Sequence, residues 1–483
     1  VTECRKGNFI LKRECVSGKL QQDMQYLDRL LDVDNNFDVI HRVIDIGGKE
    51  ACMYLVDGFC KDELLQKLLQ YLMDRKPEDM PEEMDGISRQ FTPYVEVEVE
   101  EDMGKLVDAL LSGMFILLID GYRKALLIDS RTYPARGVEE PEKDKVLRGS
   151  KDGFVETVVF NTALIRRRIR SVDLHMEMMC AGKSSKTDIV LCYMKDRVDD
   201  RFLKEIRRKI REINVDSLTM NQESLAECLY QKKWYNPFPK FKYTERPDTA
   251  AAQVLEGNIV ILVDNSPSAM ILPTSIFDVI EEADDYYFPP ITGTYLRLTR
   301  LLITLFTYFM TPTFLLMMNH VDWVPESFSF VLLREEPNIP LIWQFLILEV
   351  AIDGLKLAAV NTPNMLSTPL SVLAALVLGE FSVNSGWFNA EVMLYMAFVA
   401  IANYTQANYE LGYALKFLRI LNLLFTEWFG LWGYIGGVVV AVLALCTNRT
   451  VAGGSYIYPL IPFDWKNLKN RVIRRRLPGA LKK

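Results

Sequence analysis

The sequence predicts an α/β region of two subdomains followed by an all-α polytopic membrane domain. Three observations carry that expectation. Up to about residue 295, short apolar runs of strand length alternate with segments whose apolar residues recur at helical spacing. Beyond it, apolar stretches lie near 301–319, 341–360, 366–384, 391–408 and 418–446, most of them long enough for the roughly 20 residues a crossing helix needs. A basic tail closes the chain. The mean hydropathy of +0.05 averages these unlike parts. The expected boundaries are 1–134 and 135–295 for the two cytoplasmic subdomains, 296–460 for the membrane domain and 461–483 for the tail.

In the first subdomain, FDVIHRVIDIG and EACMYLVDGF read as paired strands turning at Gly47 and Gly48. KDELLQKLLQYLMDR has helical spacing, and MFILLIDGYRKALLID reads as a second hairpin turning at Asp120 and Gly121. The Pro- and charge-rich connector RTYPARGVEEPEKDKVLRGSKDG leads to the second subdomain. There FVETVVFNTALIRRRIR carries an apolar helical stripe of Phe154, Val158, Ile165 and Ile169, ending in Arg166, Arg167, Arg168 and Arg170. Basic residues suit a helix C-terminus, with anion binding as the alternative. TDIVLCYM and NIVILVD read as strands, RFLKEIRRKIREI and NQESLAECLYQKK as helices. AGKSSKTD imitates a phosphate-binding loop, but Glu177 stands where that motif needs glycine, so a turn before the next strand is expected. Pro237 and Pro239 fix extended backbone. Glu245, Arg246 and Asp248 are candidates for an ion network at a seam between subdomains or subunits, a surface loop being the alternative.

Composition narrows the function classes. The eight cysteines are scattered with no CxxC pair, which argues for reduced thiols and against a zinc site or disulfide framework. Three separated histidines, His41, His175 and His320, give little basis for a metal centre or a catalytic triad. No enzyme activity, cofactor or metal is expected. The net charge of −7 argues against a nucleic-acid binder. VTECRKGNFI has no apolar core of a secretory signal, so the N-terminal region is expected in the cytoplasm.

In the membrane half, LILEVAIDGLKLAAV places Glu349, Asp353 and Lys356 on one helical face. That face must meet protein or water, since a charge in mid-bilayer costs at least about 2.5 kcal/mol. Arg297 and Arg300 before the first stretch and the basic tail KNLKNRVIRRRLPGALKK put both ends in the cytoplasm by the positive-inside rule. Both ends on one side require an even number of crossings, whereas five stretches are counted. Either one is re-entrant, or the last is broken at Gly430, Gly433, Gly436 and Gly437. Within 366–384, Ser371, Ala375, Leu378 and Ser382 form a small or hydroxylated stripe with Glu380 on the opposite side, and either face is a candidate for an ion path. Glu427 is expected as a further acid at membrane depth, and Lys416 and Arg419 are expected to snorkel to the cytoplasmic interface. Glu349, Asp353, Glu380 and Glu427 outnumber Lys356, so an aqueous path would favour cations. The alternative is that these groups only pair and specify helix packing.

RGSKDGFVETVVFNTALIRRRI (148–169), NPFPKFKYTERPDTAAAQVLEGNIVILVDNSP (236–267) and the acid-bearing membrane helix, in that order, resemble the A subunits of bacterial spore germinant receptors. The resemblance implies a two-part cytoplasmic region, a membrane domain in lipid, and residence in the inner membrane of the spore. It also implies a homo-oligomer, a pentamer with a central ion path that helps release ions at germination, and companion germination membrane proteins as partners. Two departures stand out: Glu380 where the family tends to place Gln, and Asn265 where glycine is usual. Asparagine tolerates positive φ, so the turn at 265 stays feasible. An alternating-access transporter and a scaffold for other germination proteins are the rival readings; the first predicts internal hydropathy symmetry, which is not clear here.

Overall fold

Hairpin-forming sequences dictate the architecture of the N-terminal half. The computed structural model describes residues 15–60, 62–132, 149–230, 236–406 and 408–474. The first ten residues, Cys4, most of the connector and the tail beyond 474 lie outside them. The chain divides into two units, Val1–Gln231 with Tyr243–Pro273 and Lys232–Lys242 with Thr274–Lys483.

In the first unit, α1 (Leu20–Leu31) precedes β1 (Val39–Ile46) and β2 (Lys49–Val56), which are closed by Gly47 and Gly48 at φ +55° and +73°. Next come α2 (Asp62–Met73), α3 (Met84–Phe91), β3 (Val97–Glu100), α4 (Met103–Leu111), β4 (Phe115–Ile119) and β5 (Ala125–Ile128). The sheet runs in the order β1-β2-β4-β5-β3. β2 shows why its sequence is a continuous apolar run. Cys52, Tyr54 and Val56 enter one core with Leu27 of α1 and Leu106 of α4, while Met53 and Leu55 enter the other with Leu68 of α2 and Ile87 of α3. A strand covered on both faces loses the polar-apolar alternation.

The same topology then recurs. α5 (Val158–Arg168) precedes the hairpin β6 (Leu174–Ala181) and β7 (Thr187–Met194), followed by α6 (Asp200–Arg211), α7 (Gln222–Leu229), β8 (Lys242–Thr244), α8 (Pro247–Leu255), β9 (Ile259–Val263) and β10 (Ala269–Leu272). The order β6-β7-β9-β10-β8 reproduces that of the first sheet strand for strand. AGKSSKTD is the β6–β7 turn, with Gly182 at φ +90°. Asn265 takes φ +61° in the β9–β10 turn, the conformation that makes asparagine an acceptable replacement for glycine. α5 starts at Val158 rather than Phe154: the Asp264 carboxylate accepts from the Val158 amide at 3.1 Å, and Phe154 donates its amide to the Glu245 carbonyl at 2.8 Å. The seven described cysteines are free thiols; burial pushes Cys52 up to about 12 and raises Cys192 as well.

The second unit is helical. Short α9 (Ile276–Ile280) and α10 (Asp284–Tyr287) lead into α11 (Pro290–Asn319), followed by α12 (Leu341–Asn361), α13 (Asn364–Ala374), a π-turn at Ala375–Phe381 and α14 (Ser382–Asn384). α15 (Ala390–Tyr404), α16 (Tyr409–Cys446) and α17 (Trp465–Val472) complete it. Among the described residues, two helices are long and apolar enough to cross a membrane: α11 and α16, with mean hydropathies of 1.8 and 2.1. α16 is itself broken at Gly430 (φ +55°, ψ −131°). Its second leg folds back on its first, because Gly437 lies against the Asn422 side chain and Gly433 against the Phe425 carbonyl. Ala441 packs in one cluster with Ala414, Leu415 and Leu418. The glycines therefore make a helical hairpin, and small residues let its backbones touch.

The hairpin returns the chain to the end of the bundle where α11 starts. Arg297 donates to the carbonyls of Asn470 and Arg471 at 3.4 and 3.0 Å, and the Arg474 amide donates to the Thr294 hydroxyl at 3.2 Å. A Cβ on residue 433 would overlap the Phe425 carbonyl oxygen, whereas at 436 it would meet nothing within 4 Å. Gly433→Ala should therefore destabilise the purified protein by about 1–3 kcal/mol, the range for overpacking, and Gly436→Ala should leave its thermal midpoint unchanged. Equal midpoints for the two variants would contradict the hairpin contact.

Candidate functional site

α12 and the first leg of α16 face each other with complementary charges. Glu349 and Asp353 stand one turn apart on α12, and Lys416 and Arg419 nearly one turn apart on α16. Arg419 donates Nε and Nη2 to Glu349 Oε1 at 3.0 and 2.5 Å and Nη1 to the Thr307 carbonyl at 2.7 Å. Lys416 Nζ lies 3.4 Å from Glu349 Oε2, donates to the Glu349 carbonyl at 3.1 Å and also binds Asp353. Arg419, Glu349 and Lys416 are 1, 4 and 5% exposed. Two cations meet two carboxylates, and this cluster carries no net charge.

The expectation that Lys416 and Arg419 snorkel is thereby corrected. A carboxylate fork one helix away satisfies the guanidinium inside the unit, so its stem has no need to reach water. Lys356 is not in ion-pair contact with either acid; its ammonium lies 4.9 and 5.7 Å from the ring centroids of Tyr404 and Tyr413. Glu427, expected at depth, is exposed three residues before the Gly430 turn.

Residues 364–384 are placed differently. No residue described there is buried. Glu380, Ser371 and Ala375 are exposed, while Leu378 and Ser382 are half-buried beside an open groove of about 640 Å³ that Val377, Phe381 and Phe388 also line. The π-turn replaces i→i+4 with i→i+5 bonding over Ala375–Phe381, so a wheel drawn for a uniform α-helix loses its register there. Ser382 donates its hydroxyl to the Leu378 carbonyl at 2.5 Å.

In the first unit, a seam joins the two repeats. Arg166 of α5 is bidentate on Asp38, at 2.7 and 3.0 Å, with both side chains at most 2% exposed, and its Nη1 also reaches the carbonyls of Ser171 and Leu174. The Met176 amide donates to Asn36 Oδ1 at 2.9 Å, and Phe37 donates to the Met176 carbonyl. Asp32 takes Lys195 Nζ at 2.6 Å and faces His175 Nε2 at 2.8 Å. The link 32–38 is thus zipped onto β6. Arg166 has a specific carboxylate partner rather than a role for the helix end alone, and Arg168 pairs with Asp152 at 2.5 Å. Of the expected seam residues, Arg246 binds Asp248 at 2.6 and 3.1 Å and the Ser150 carbonyl at 2.9 Å, all within the second repeat. Glu245 offers its carbonyl to Phe154 in the same repeat.

Arg297 and Arg300 also have fixed partners. Asp285, fully buried, accepts from Arg300 at 2.8 and 3.0 Å and from Arg297 at 3.2 Å, while Glu281 accepts from Arg297 at 2.6 Å. Arg471 lies 2.5 and 3.1 Å from Asp278 and Glu281.

The described residues thus build a duplicated α/β region followed by a helical unit with two long apolar helices and a buried ionic cluster, and the sequence gives the family. Residues 25–483 match the model of the Bacillus/Clostridium GerA spore germination protein family, and the chain belongs to that family. Stage V sporulation protein AF of Bacillus subtilis is 35% identical over 458 residues, covering 94% of this chain and 92% of that protein. Spore germination protein KA of the same organism is 27% identical, covering 92% and 82%. The crystal structure of the N-terminal domain of the A subunit of the Bacillus megaterium spore germinant receptor GerK3 aligns at 28% identity with a TM-score of 0.42, covering 53% of this chain and 95% of that one.

Removing one partner of a buried pair strands the other, at about 3–5 kcal/mol. Glu349→Gln should therefore lower stability by that order, with Glu349→Leu/Arg419→Met recovering much of the loss; thermal melts of the three proteins in detergent check this. Asp38→Asn should loosen the two repeats, seen as faster proteolysis between them. Burial alone would raise the Asp32 carboxyl, but hydrogen bonds from Lys195, His175 and Asn35 outweigh it and hold the group well below the usual range. With the folded value depressed, its stabilising contribution is complete above about pH 4, the unfolded value, and is lost as pH falls further. The stability gap between wild type and Asp32→Asn should accordingly be largest near neutrality and shrink in acid, as measured by denaturant midpoints at several pH values.

Proposed function

We propose that the chain is a multi-pass subunit of the spore inner membrane that assembles with copies of itself, as a pentamer, around a gated cation path and contributes to ion release during germination. The observation that carries this reading is the contrast between two acids. Glu349 is neutralised inside its own chain, whereas Glu380 is exposed on a helical segment with no buried residue among those described. An exposed carboxylate among Leu376, Val377 and Phe381 is costly in lipid, and several copies facing an axis would give it water. A ring of such carboxylates selects cations. The π-turn beside Glu380 is a geometry that recurs at functional sites.

Family membership supports a role in spore germination, and two long apolar helices support the membrane setting. The Gly430 hairpin makes an even number of passes natural, with the start of α11 and the tail on the cytoplasmic side. Lipid, other copies of the chain and companion germination membrane proteins are the partners in this reading. The N-terminal unit biases the path between closed and open, which requires a signal that binds one state more tightly than the other.

Reconstitution in liposomes tests it. Wild type should give unitary cation currents, and Glu380→Gln should move the reversal potential toward non-selectivity. Saturable flux without unitary events would indicate a carrier, and no flux a scaffold. Unchanged selectivity together with lost folding would assign Glu380 to packing.

A further inference from the structure

The second leg of α16 ends at Cys446, and the chain then forms a loop before α17. The base of that loop is anchored: Tyr456 is fully buried, its ring 6.0 Å from that of Phe238, and its carbonyl accepts from the Ile276 amide at 3.0 Å. Past Pro459 the character reverses. Leu460, Ile461, Phe463 and Trp465 are 44, 53, 67 and 65% exposed, and the rings of Phe463 and Trp465 lie 6.3 Å apart.

This apolar edge is built rather than loose. The Asp464 amide donates to the Pro459 carbonyl at 3.0 Å. Asp464 Oδ1 caps α17 by accepting from the Asn467 amide at 3.1 Å, and Oδ2 accepts from Asn467 Nδ2 at 2.7 Å and the Tyr458 hydroxyl at 3.2 Å. That cap, the Asn467 amide first, holds the Asp464 carboxyl below its usual range. Beside Trp465 stand the exposed ammonium groups of Lys466 and Lys469. The nearby acids are already engaged, Asp464 in the cap and Asp278 and Glu281 with Arg471. Four exposed apolar side chains next to two lysines, with no exposed acid between them, suit a surface that is apolar within and anionic at its rim.

We propose that Leu460, Ile461, Phe463 and Trp465 enter the boundary between head groups and acyl chains of the leaflet where α11 begins, with Lys466 and Lys469 on the phosphates of anionic lipid. The level is fixed by Arg297, in the second turn of α11, whose bonds to the Asn470 and Arg471 carbonyls hold the C-terminal end of α17 beside the entry of the span. Amphipathic aromatic side chains favour that depth, and basic residues near the surface are drawn to anionic lipid. The inference rests on the reading of α11 and α16 as membrane-crossing helices.

The test uses the full chain, with its eight native cysteines replaced, in phosphatidylcholine vesicles with and without phosphatidylglycerol. A polarity-sensitive fluorophore is placed at Phe463→Cys, and separately at Val439→Cys, a 49% exposed position on the second leg of α16. The expected result is blue-shifted emission at 463, quenched about twofold more by lipids spin-labelled near the head group than by those labelled deep in the chain. Phosphatidylglycerol should strengthen the effect, and Lys466→Gln/Lys469→Gln should abolish that strengthening. Water-like emission at 463 while 439 is quenched by lipid overturns the proposal alone. So does blue-shifted emission at 463 that no lipid quenches, which means that protein covers the patch. Absence of lipid quenching at 439 overturns the membrane reading itself and this inference with it.

Discussion

The helical unit depends on one carboxylate. Glu349 receives the Arg419 fork and the Lys416 ammonium, and Arg419 extends the same contact to the Thr307 carbonyl, so a single acid ties α12, α16 and α11 together. Hydrophobic contact cannot do this where helices sit in a medium as apolar as their own side chains; polar contacts and close packing must fix their arrangement. Asp353 completes the electroneutrality as the second carboxylate on the Lys416 ammonium. Buried ion pairs contribute little net stability over well-packed apolar residues, but a mismatched one is severely penalised, so this cluster acts as a register key. A slide of α16 by one turn would pull the Arg419 fork off Glu349 and off the Thr307 carbonyl together.

The N-terminal unit solves a similar problem by other means. Two sheets of identical strand order each carry their own helices, and the two cores touch: Ala163 of α5 and Val172 pack into the first repeat's core, and Phe37 packs against the second's. Polar contacts reinforce that packing: the Asp38–Arg166 fork, the Asn36–Met176 bond and the Asp32 contacts with His175 and Lys195. Such a seam is directional, because hydrogen bonds fail beyond a narrow range of distance and angle.

Much of this was legible in the sequence because local chemistry decides it. Gly47–Gly48, Asp120–Gly121 and the GKSSK turn mark hairpins by the φ values they require, and the apolar runs that follow had nowhere to lie except in doubly covered strands. Glu349 and Asp353 were legible as a face that cannot meet lipid. Their partners were not, although Lys416 and Arg419 sit three apart on an otherwise apolar stretch and mirror that acidic face. Reading them as snorkelling assumed a depth that only the fold supplies. Asp32, Asn36 and Asp38 were missed for the same reason: DVDNNFD looks like a solvated link until β6 is brought alongside it. The stripe in 366–384 was drawn on a uniform helix, and no periodicity argument reveals a π-turn in advance.

The parity proposed for the crossings rests on the break at Gly430. If α16 were one straight helix, its 38 residues would extend about 57 Å at 1.5 Å per residue, far beyond a hydrocarbon core of about 30 Å. Gly430 adopts φ +55°, open to residues without a Cβ, and Gly433 and Gly437 then let the returning leg lie against Phe425 and Asn422. The hairpin brings the chain back to the level of Arg297, where Asp285 and Glu281 hold α11 and Arg471 holds α17 through Asp278 and Glu281. Arg297, Arg300 and Arg471 at this end of the unit are each matched by acids, as Arg419 and Lys416 are around Glu349. Glu380 is exposed on a segment in which no described residue is buried, which is the physical reason to look for its complement in water or in another copy of the chain.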